Sequence, residues 1–451
     1  MSGRSVARCT WLDKLKRVGE LSASNPDMKF NNLGHLVGKE SLIWSFNRLD
    51  GTKAVGVDKQ NKEQYGIDLD ANLSNLIVRI RKGNYRPKPA RVTYIPKADG
   101  DLRPLAISCV EDKVVQTAVA EILTAIYEPL FLPCSFGFRP GKSCHDAIKE
   151  LSSVGYKSRE GHIVEIDIRK YFPSISHEVI LDILAVKISD RKFLQLVKTL
   201  LQTPTTKGGV VIENLIGAPQ GSVLSPIIGN ILLHHVLDVW FAEVNKSHFG
   251  DKAKQIRYVD DAVYIFDNER DAKRFLIALP KRLGRFGLSV NLEKTQILPF
   301  GYTTAKTLQG SGLRMPTFNF LGFTWYWGLV RNGKFFRLRV KSRADRLRAK
   351  LKGLKRYLRE NLNTRNVFLF LRSVIRVVKG WVNYHAVSDN QRSVNGFLRT
   401  CKRALFRWFN RRGGRKRMTW ERFRALLKQV QFPQTYLVMP LFQTPKTKRV
   451  A

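Results

Sequence analysis

Two adjacent acids, Asp260 and Asp261, stand between the apolar runs of 255–266, and a third, Asp167, closes a run containing Ile163, Val164 and Ile166. Acids at a tight hairpin turn are common for local reasons, so the pair alone carries little weight. Asp167 changes the reading, because a carboxylate at the end of an apolar strand needs a partner or a cation. Three acids gathered on a rigid sheet are hard oxygen ligands of the kind Mg²⁺ takes, few in number and completed by substrate phosphates. Two such ions, about 3.5–4 Å apart, activate an attacking hydroxyl and stabilise the leaving oxygen of an in-line displacement. The chemistry these residues would support is nucleotidyl transfer.

The elements that must position them can be read from periodicity. Residues 162–168 alternate as a strand and 176–201 are mostly helical. A helix follows the Gly/Pro-rich 217–226 as far as about Val244, and 255–266 forms two short strands around the acid pair. A helix over 269–286 and a strand over 288–298 complete the split β-α-β order of a ferredoxin-like sheet, which would run the Asp167 strand beside the hairpin. Upstream, helical stretches at 41–48 and 69–80 flank a turn at 54–58. A strand at 92–96 leads into a turn at 98–101, and a helix over 111–130 stops near Pro129. Residues 1–40 are a polar, basic lead-in without a clear element. Beyond Val340 the pattern is helical throughout. Ala344, Leu347, Leu351, Leu354 and Leu358 form an apolar stripe, and Lys341, Arg343, Arg346, Arg348, Lys352, Lys355, Arg356 and Arg359 occupy the other faces.

Charge identifies the kind of partner. The net +41 on 451 residues exceeds what solubility requires and points to a polyanion. It is concentrated: from Arg331 onward 33 basic residues face 4 acidic ones, placing +29 of the total in the last 121 residues. Isolated like charges at this density repel, and phosphate contact relieves that repulsion. Lipid is the competing polyanion, but no run of about 18 apolar residues and no lipidation signal favours a membrane. The five cysteines, Cys9, Cys109, Cys134, Cys144 and Cys401, contain no CxxC pair, which argues for a reducing compartment and against a disulfide or zinc framework. The N-terminal stretch lacks an apolar signal core, so the expectation is a cytoplasmic, bacterial, ribonucleoprotein- or nucleoid-associated protein, with an organelle left open. The segment Gly137-Phe138-Arg139-Pro140-Gly141-Lys142-Ser143 has three residues between its glycines where a P-loop needs four, and is rejected as one.

From about Leu42 to Pro433 the chain resembles the reverse transcriptases encoded by group II introns. The ordered blocks are Ala54-Val55-Gly56-Val57-Asp58, then Tyr94-Ile95-Pro96-Lys97 with Leu102-Arg103-Pro104-Leu105, and Ser135 through Gly141. They continue with Asp167 through Ile175, Gly217-Ala218-Pro219-Gln220-Gly221, Tyr258-Val259-Asp260-Asp261, Leu288 through Thr295, and Phe320-Leu321-Gly322-Phe323. Gly380-Trp381-Val382-Asn383-Tyr384 and the segment from Arg411 to Leu427 look like the thumb and maturase portion.

The resemblance implies an α/β (α+β) right-hand polymerase. Its expected parts are an N-terminal extension (1–40), fingers with a ferredoxin-like palm (41–330), a helical thumb (331–400) and a basic maturase region (401–451). It implies two Mg²⁺ ions, or Mn²⁺ in their place, at Asp167, Ile168, Asp260 and Asp261. Lys97 and Arg103 would hold the incoming dNTP triphosphate, Phe172 would block a 2′-hydroxyl, and Lys294 would lie near the departing phosphate. Gln220 would contact the dNTP, and with Gly221 would bring backbone close to the template–primer pair. Arg346, Lys352, Lys355 and Arg356 would grip that duplex. Arg411, Arg412, Arg415 and Arg417, crowded around Trp408, Phe409 and Trp420, suit a structured RNA, with Trp420 expected to pack inward.

The partners implied are the parent group II intron RNA, an RNA template with a DNA primer, target DNA and dNTPs. The family usually has Ala where this chain has Val259, and no Cys- and His-rich endonuclease segment is present in the sequence. Two other readings remain: a free-standing relative serving DNA repair or phage defence, and an RNA chaperone with an inactive palm.

Overall fold

The computed structural model describes residues 10–96, 102–330, 335–413, 417–434 and 436–441. The chain divides into two compact units: residues 1–143, 164–266 and 270–297 form the first, and 144–163, 267–269 and 298–451 the second. The described strands are β1 (Ala90–Pro96), β2 (Leu102–Ile107), β3 (His162–Ile166), β4 (Thr205–Lys207), β5 (Val210–Ile212), β6 (Lys254–Tyr258), β7 (Asp261–Phe266), β8 (Gln296–Pro299), β9 (Phe318–Phe320), β10 (Phe323–Leu329) and β11 (Phe336–Ser342).

Two of the described sheets have four strands each. One has the order β2-β1-β4-β5, and the other β6-β7-β3-β8, so the hairpin β6–β7 lies directly beside β3 as the split β-α-β pattern requires. The helices at Lys39–Arg48, Leu69–Arg81, Val110–Tyr127 and Glu269–Gly284 lie where helical spacing puts them. Ser225–His248 is continuous helix, long and apolar enough to cross a membrane by length and composition alone, yet most of it is buried inside the fold. It is a core helix, and a π-turn at His234–Asp238 interrupts it.

Two stretches differ from their sequence reading. The expected strand at 288–298 is paired only at a bridge between Ile168 and Val290 and along β8. Between these, Asn291 donates to the Asp167 carbonyl, while the N–H groups of Lys294 and Thr295 return to the Asn291 carbonyl and close a turn. The lead-in contains a real helix, Trp11–Ser24, opened by a capping box in which Thr10 and Asp13 satisfy each other's main-chain N–H. Trp11, Leu15 and Val18 join the core of the unit, and the Trp11 indole N–H donates to the Leu36 carbonyl at 3.1 Å. Its charged outer face dilutes the apolar spacing that would have announced it.

The second unit holds the sheet β11-β10-β9, which the sequence reading did not separate, and helices at Ala344–Glu360, Val367–His385, Gln391–Arg411 and Trp420–Gln429. In β10 the buried residues are Phe323, Trp325 and Trp327, a period-two signal that was present in the sequence. Leu354 and Leu358 of the leucine stripe are buried and Leu347 and Leu351 pack against the same core. The basic residues Arg346, Lys352, Lys355 and Arg356 are exposed.

Because Leu15 is buried among core side chains, Leu15→Ala should cost about 2–5 kcal/mol through reduced transfer energy and a residual cavity. Urea unfolding of the variant should show a lower midpoint, and an unchanged one would place this helix outside the cooperative fold.

Candidate active site

The candidate acids sit on the β6–β7 hairpin and at the end of β3, all within the first unit. Tyr258 ends β6, Asp261 begins β7, and Val259 and Asp260 form the turn. Val259 has φ +59° and is 4% exposed. A β-branched residue in the left-handed region is strained, so surrounding contacts must hold the turn in place.

Those contacts come from below. Arg257 is fully buried, and its guanidinium donates to the Val259 carbonyl (3.0 Å), Asn230 Oδ1 (3.1 Å), Ser135 Oγ (2.8 Å) and both oxygens of Asp238 (2.7 and 2.5 Å). Burial opposes the charge of Arg257, but the facing Asp238 carboxylate overrides this and holds its pKa above the ordinary arginine value. Asn230 in turn donates to the Gly137 carbonyl at 2.6 Å. A Cβ added at Gly137 would lie 2.5 Å from Val259 Cγ2 and 2.7 Å from the Val259 nitrogen, so only glycine lets the loop at 135–141 pass under the turn. In that loop Arg139 is tied to Glu128 at 2.8 Å and to the carbonyls of Leu132 and Ser135, a structural role for the rejected P-loop segment.

Asp167 is held by Asn291, which gives its main-chain N–H to the Asp167 carbonyl at 2.8 Å and its side-chain amide to Asp167 Oδ2 at 2.9 Å. Asp260 is pushed above its ordinary carboxylate pKa, first by burial and further by the negative charge of Asp167, while its own main-chain N–H, Arg103 and Arg257 pull the other way. The structure therefore brings Asp167 and Asp260 within electrostatic reach of one another and of Arg103, and leaves Asp261 exposed. Among the described residues no three His, Cys, Asp or Glu side chains gather into a group that could hold a metal ion. The donor set still fits Mg²⁺. It is all oxygen, and two repelling carboxylates gain from a hard cation whose remaining positions water and phosphate fill.

The other expected residues take these places. Arg103 lies on β2, paired opposite Ile95 on β1. Gln220 accepts the Ala106 N–H at 2.7 Å through its carbonyl. A Cβ on Gly221 (φ +106°) would meet the Ala106 carbonyl at 2.7 Å, so the 217–221 loop lies against the Arg103 strand. The Gln220 Oε1 is buried without a hydrogen-bond partner among the described residues. Phe172 is half-buried, and its ring faces Gly229, where an added Cβ would come within 3.3 Å. Ile168 is buried and Lys294 exposed. Lys97, the turn at 98–101 and Arg415 lie outside the described residues.

In the second unit Arg411 and Arg417 are exposed, whereas Arg412 donates to the carbonyls of Leu362 (2.6 Å) and Thr364 (2.8 Å) and covers the Trp408 ring. Trp420 is 45% exposed, stacked flat on Phe406 with ring centroids 3.9 Å apart, and the inward-packing tryptophan is Trp408. Sequence reasoning missed Arg257, Asp238, Asn230 and Asn291. A charged residue inside the apolar β6 run was the available signal for Arg257, and the partners left none.

Comparison with known proteins gives this arrangement its class. A family model described as reverse transcriptase (RNA-dependent DNA polymerase) matches residues 95–325, and the chain belongs to that family. Protein YkfC of Escherichia coli is 31% identical over 251 residues, covering 54% of this chain and 65% of YkfC. The group II intron-encoded protein LtrA of Lactococcus lactis is 31% identical over 224 residues, 49% of this chain and 37% of LtrA. An uncharacterized 91 kDa protein in a cob intron of Schizosaccharomyces pombe is 34% identical over 262 residues, 56% of this chain and 31% of that protein. The chain thus spans less than two thirds of the length of each of these relatives.

The buried ion pair makes a stability prediction. Arg257→Met or Asp238→Leu alone leaves an unmatched buried charge and should cost about 3–5 kcal/mol, whereas the double variant should cost clearly less than the two single effects combined. Urea unfolding of the four proteins measures this, and additive effects would show that the pair is not coupled.

Proposed function

We propose that this protein is an RNA-directed DNA polymerase that adds dNTPs to a primer 3′-hydroxyl on an RNA template, and that it binds its parent group II intron RNA as a maturase in splicing and retrohoming. The observation that carries the polymerase reading is the strand order that sets the Arg257-supported turn with Asp260 on the strand next to β3, which leads into Asp167, in a chain of the reverse transcriptase family. In this reading 41–330 supplies fingers and a ferredoxin-like palm, 331–400 a helical thumb, and 401–451 an RNA-binding region after an extension over 1–40.

Asp167, Asp260 and Asp261, with the main chain at Ile168, would hold two Mg²⁺ ions, which when bound activate the primer hydroxyl and neutralise charge on the departing pyrophosphate. Asn291 fixes the orientation of the Asp167 carboxylate, and Arg257 fixes the turn that carries Asp260. Arg103, within electrostatic reach of Asp260, draws the triphosphate toward the acids, assisted by Lys97 and, at the departing phosphate, Lys294. Gln220, whose Oε1 is buried without a partner among the described residues, would contact the dNTP. Phe172, packed on Gly229, limits the space left for a 2′-hydroxyl. Asp260→Asn removes one ligand charge with little change of shape. It should abolish Mg²⁺-dependent extension of a primed RNA while leaving RNA affinity near wild type, and an active variant would refute the assignment.

The maturase reading rests on the exposed cations of the Gln391–Arg411 helix and beyond, on the similarity to an intron-encoded protein, and on the exposed Trp420 platform. Neutralising Arg403, Arg407, Arg411 and Arg417 together, and sparing the internally bonded Arg412, should weaken binding to structured intron RNA. The slope of log affinity against log salt should fall by about 0.7–0.9 for each phosphate that is no longer neutralised. Extension of a generic primed RNA at saturating substrate should change much less. An equal fall in both activities would assign these residues to the polymerase grip.

A further inference from the structure

The second unit contains a cleft that the polymerase chemistry does not use. Its volume is about 270 Å³, and its walls are Tyr156, Tyr302, Trp327, Phe335, Phe336 and Arg337. Five of these six side chains are aromatic. Tyr156 lies in the last turn of the Cys144–Lys157 helix, Tyr302 opens the Tyr302–Gly310 helix, and the remaining rings come from the β10–β11 ladder and its edge. Gly155, also at the cleft, makes this shape possible: a Cβ there would lie 2.5 Å from Leu338 Cδ2, so the helix can lie close on β11 only without one. Trp327 is braced edge-on by Phe300, with centroids 5.3 Å apart.

Three features point to a ligand. Tyr156 is 64% exposed and Phe335 40%, so large rings stand at the mouth with much of their faces in water. The indole N–H of Trp327, a residue only 9% exposed, is shielded from solvent and has no acceptor among the described residues. A buried donor without an acceptor is a cost that folding ordinarily avoids. The surroundings are cationic. Asp389 is shared between Arg337 and Arg339 at 2.5 and 3.3 Å, so one carboxylate faces two guanidinium groups. Lys306 stands exposed one turn after Tyr302, on the same helix face.

Stacking faces, an unmatched donor and flanking cations describe a site for a planar, acceptor-rich, anionic group. The cavity lies just under the lower end of small-ligand pockets, about 300 Å³, which suits a single base and is too small for a helix. Proteins that recognise unpaired nucleic acid splay bases onto aromatic side chains while cations follow the backbone. We propose that this cleft receives one unpaired nucleotide of the bound nucleic acid, its base stacked on Tyr156 and Tyr302 and its phosphate facing Lys306. The proposal rests on the polymerase and RNA-binding reading only in taking the partner to be nucleic acid.

The test uses the full chain and a short single-stranded RNA carrying one 2-aminopurine, whose fluorescence is quenched on stacking. Binding should quench the probe. Tyr156→Ala combined with Tyr302→Ala should weaken affinity about tenfold or more and remove the quench, whereas Tyr156→Phe with Tyr302→Phe should retain both. Phenylalanine variants as defective as the alanine ones would overturn the stacking role, and so would alanine variants that bind and quench like the wild type, the result expected if the rings serve a protein partner. Should the alanine protein fail to fold, photocrosslinking of a 5-iodouridine RNA to the wild-type protein decides: adducts on the peptides bearing Tyr156, Tyr302 or Trp327 support the site, and adducts confined elsewhere overturn it. Extension of a fully paired primer should be unaffected in every folded variant. If the wild type quenches the probe but cannot extend a primer, it is the polymerase reading that fails.

Discussion

A guanidinium with no access to water must have its charge and its donors matched inside the protein. Arg257 meets that demand under the β6–β7 turn, through Asp238, Asn230, Ser135 and the Val259 carbonyl. Each partner belongs to a different part of the first unit: the π-turn of a core helix, the apolar stretch of that helix, the loop under the hairpin, and the hairpin itself. Removing one partner leaves a buried charge unmatched, so the set holds together as a whole. The turn it supports would not choose its conformation unaided, since Val259 is β-branched and has a positive φ. Strain at the turn and the buried pair beneath it belong together: the pair over-determines a backbone that positions Asp260.

The site above this scaffold is an electrostatic compromise. Asp260 is partly removed from water and faces Asp167, both of which disfavour its charge. Asn291 and Arg103 act against that repulsion in different ways, one by hydrogen bonding to Asp167 and the other by its charge. The 217–221 loop is bonded to the same strand that carries Arg103, so that cation and the glycine turn share one support. An anionic pair of this kind concentrates negative potential at one place in a chain of net charge +41.

In the second unit the exposed cations of the Ala344–Glu360 and Gln391–Arg411 helices stand over a core of leucines and aromatic rings. Arg412 shows that a basic residue in such a cluster need not face a partner: two carbonyls and an indole already occupy it. Trp420 shows the reverse, an aromatic left on the surface by its flat stack on Phe406.

The sequence by itself determined the three candidate acids, most of the strands and helices around them, the leucine stripe and the uneven charge. Each is written in neighbouring residues or in a short period, because alternation and helical spacing report which face of an element is buried. Even the Trp11–Ser24 helix carried its capping box in plain view, although its polar outer face hid the spacing. Tertiary structure alone decided the rest. Arg257 meets Asp238 across 19 residues and Asn291 meets Asp167 across 124, and no local pattern tells a buried polar group where its partner is. The same reason explains the broken strand at 288–298, where Asn291 turns the chain to reach Asp167. Spacing along the chain fixes which face is apolar, but polar groups taken out of water must be matched in three dimensions, and only the folded chain shows with what.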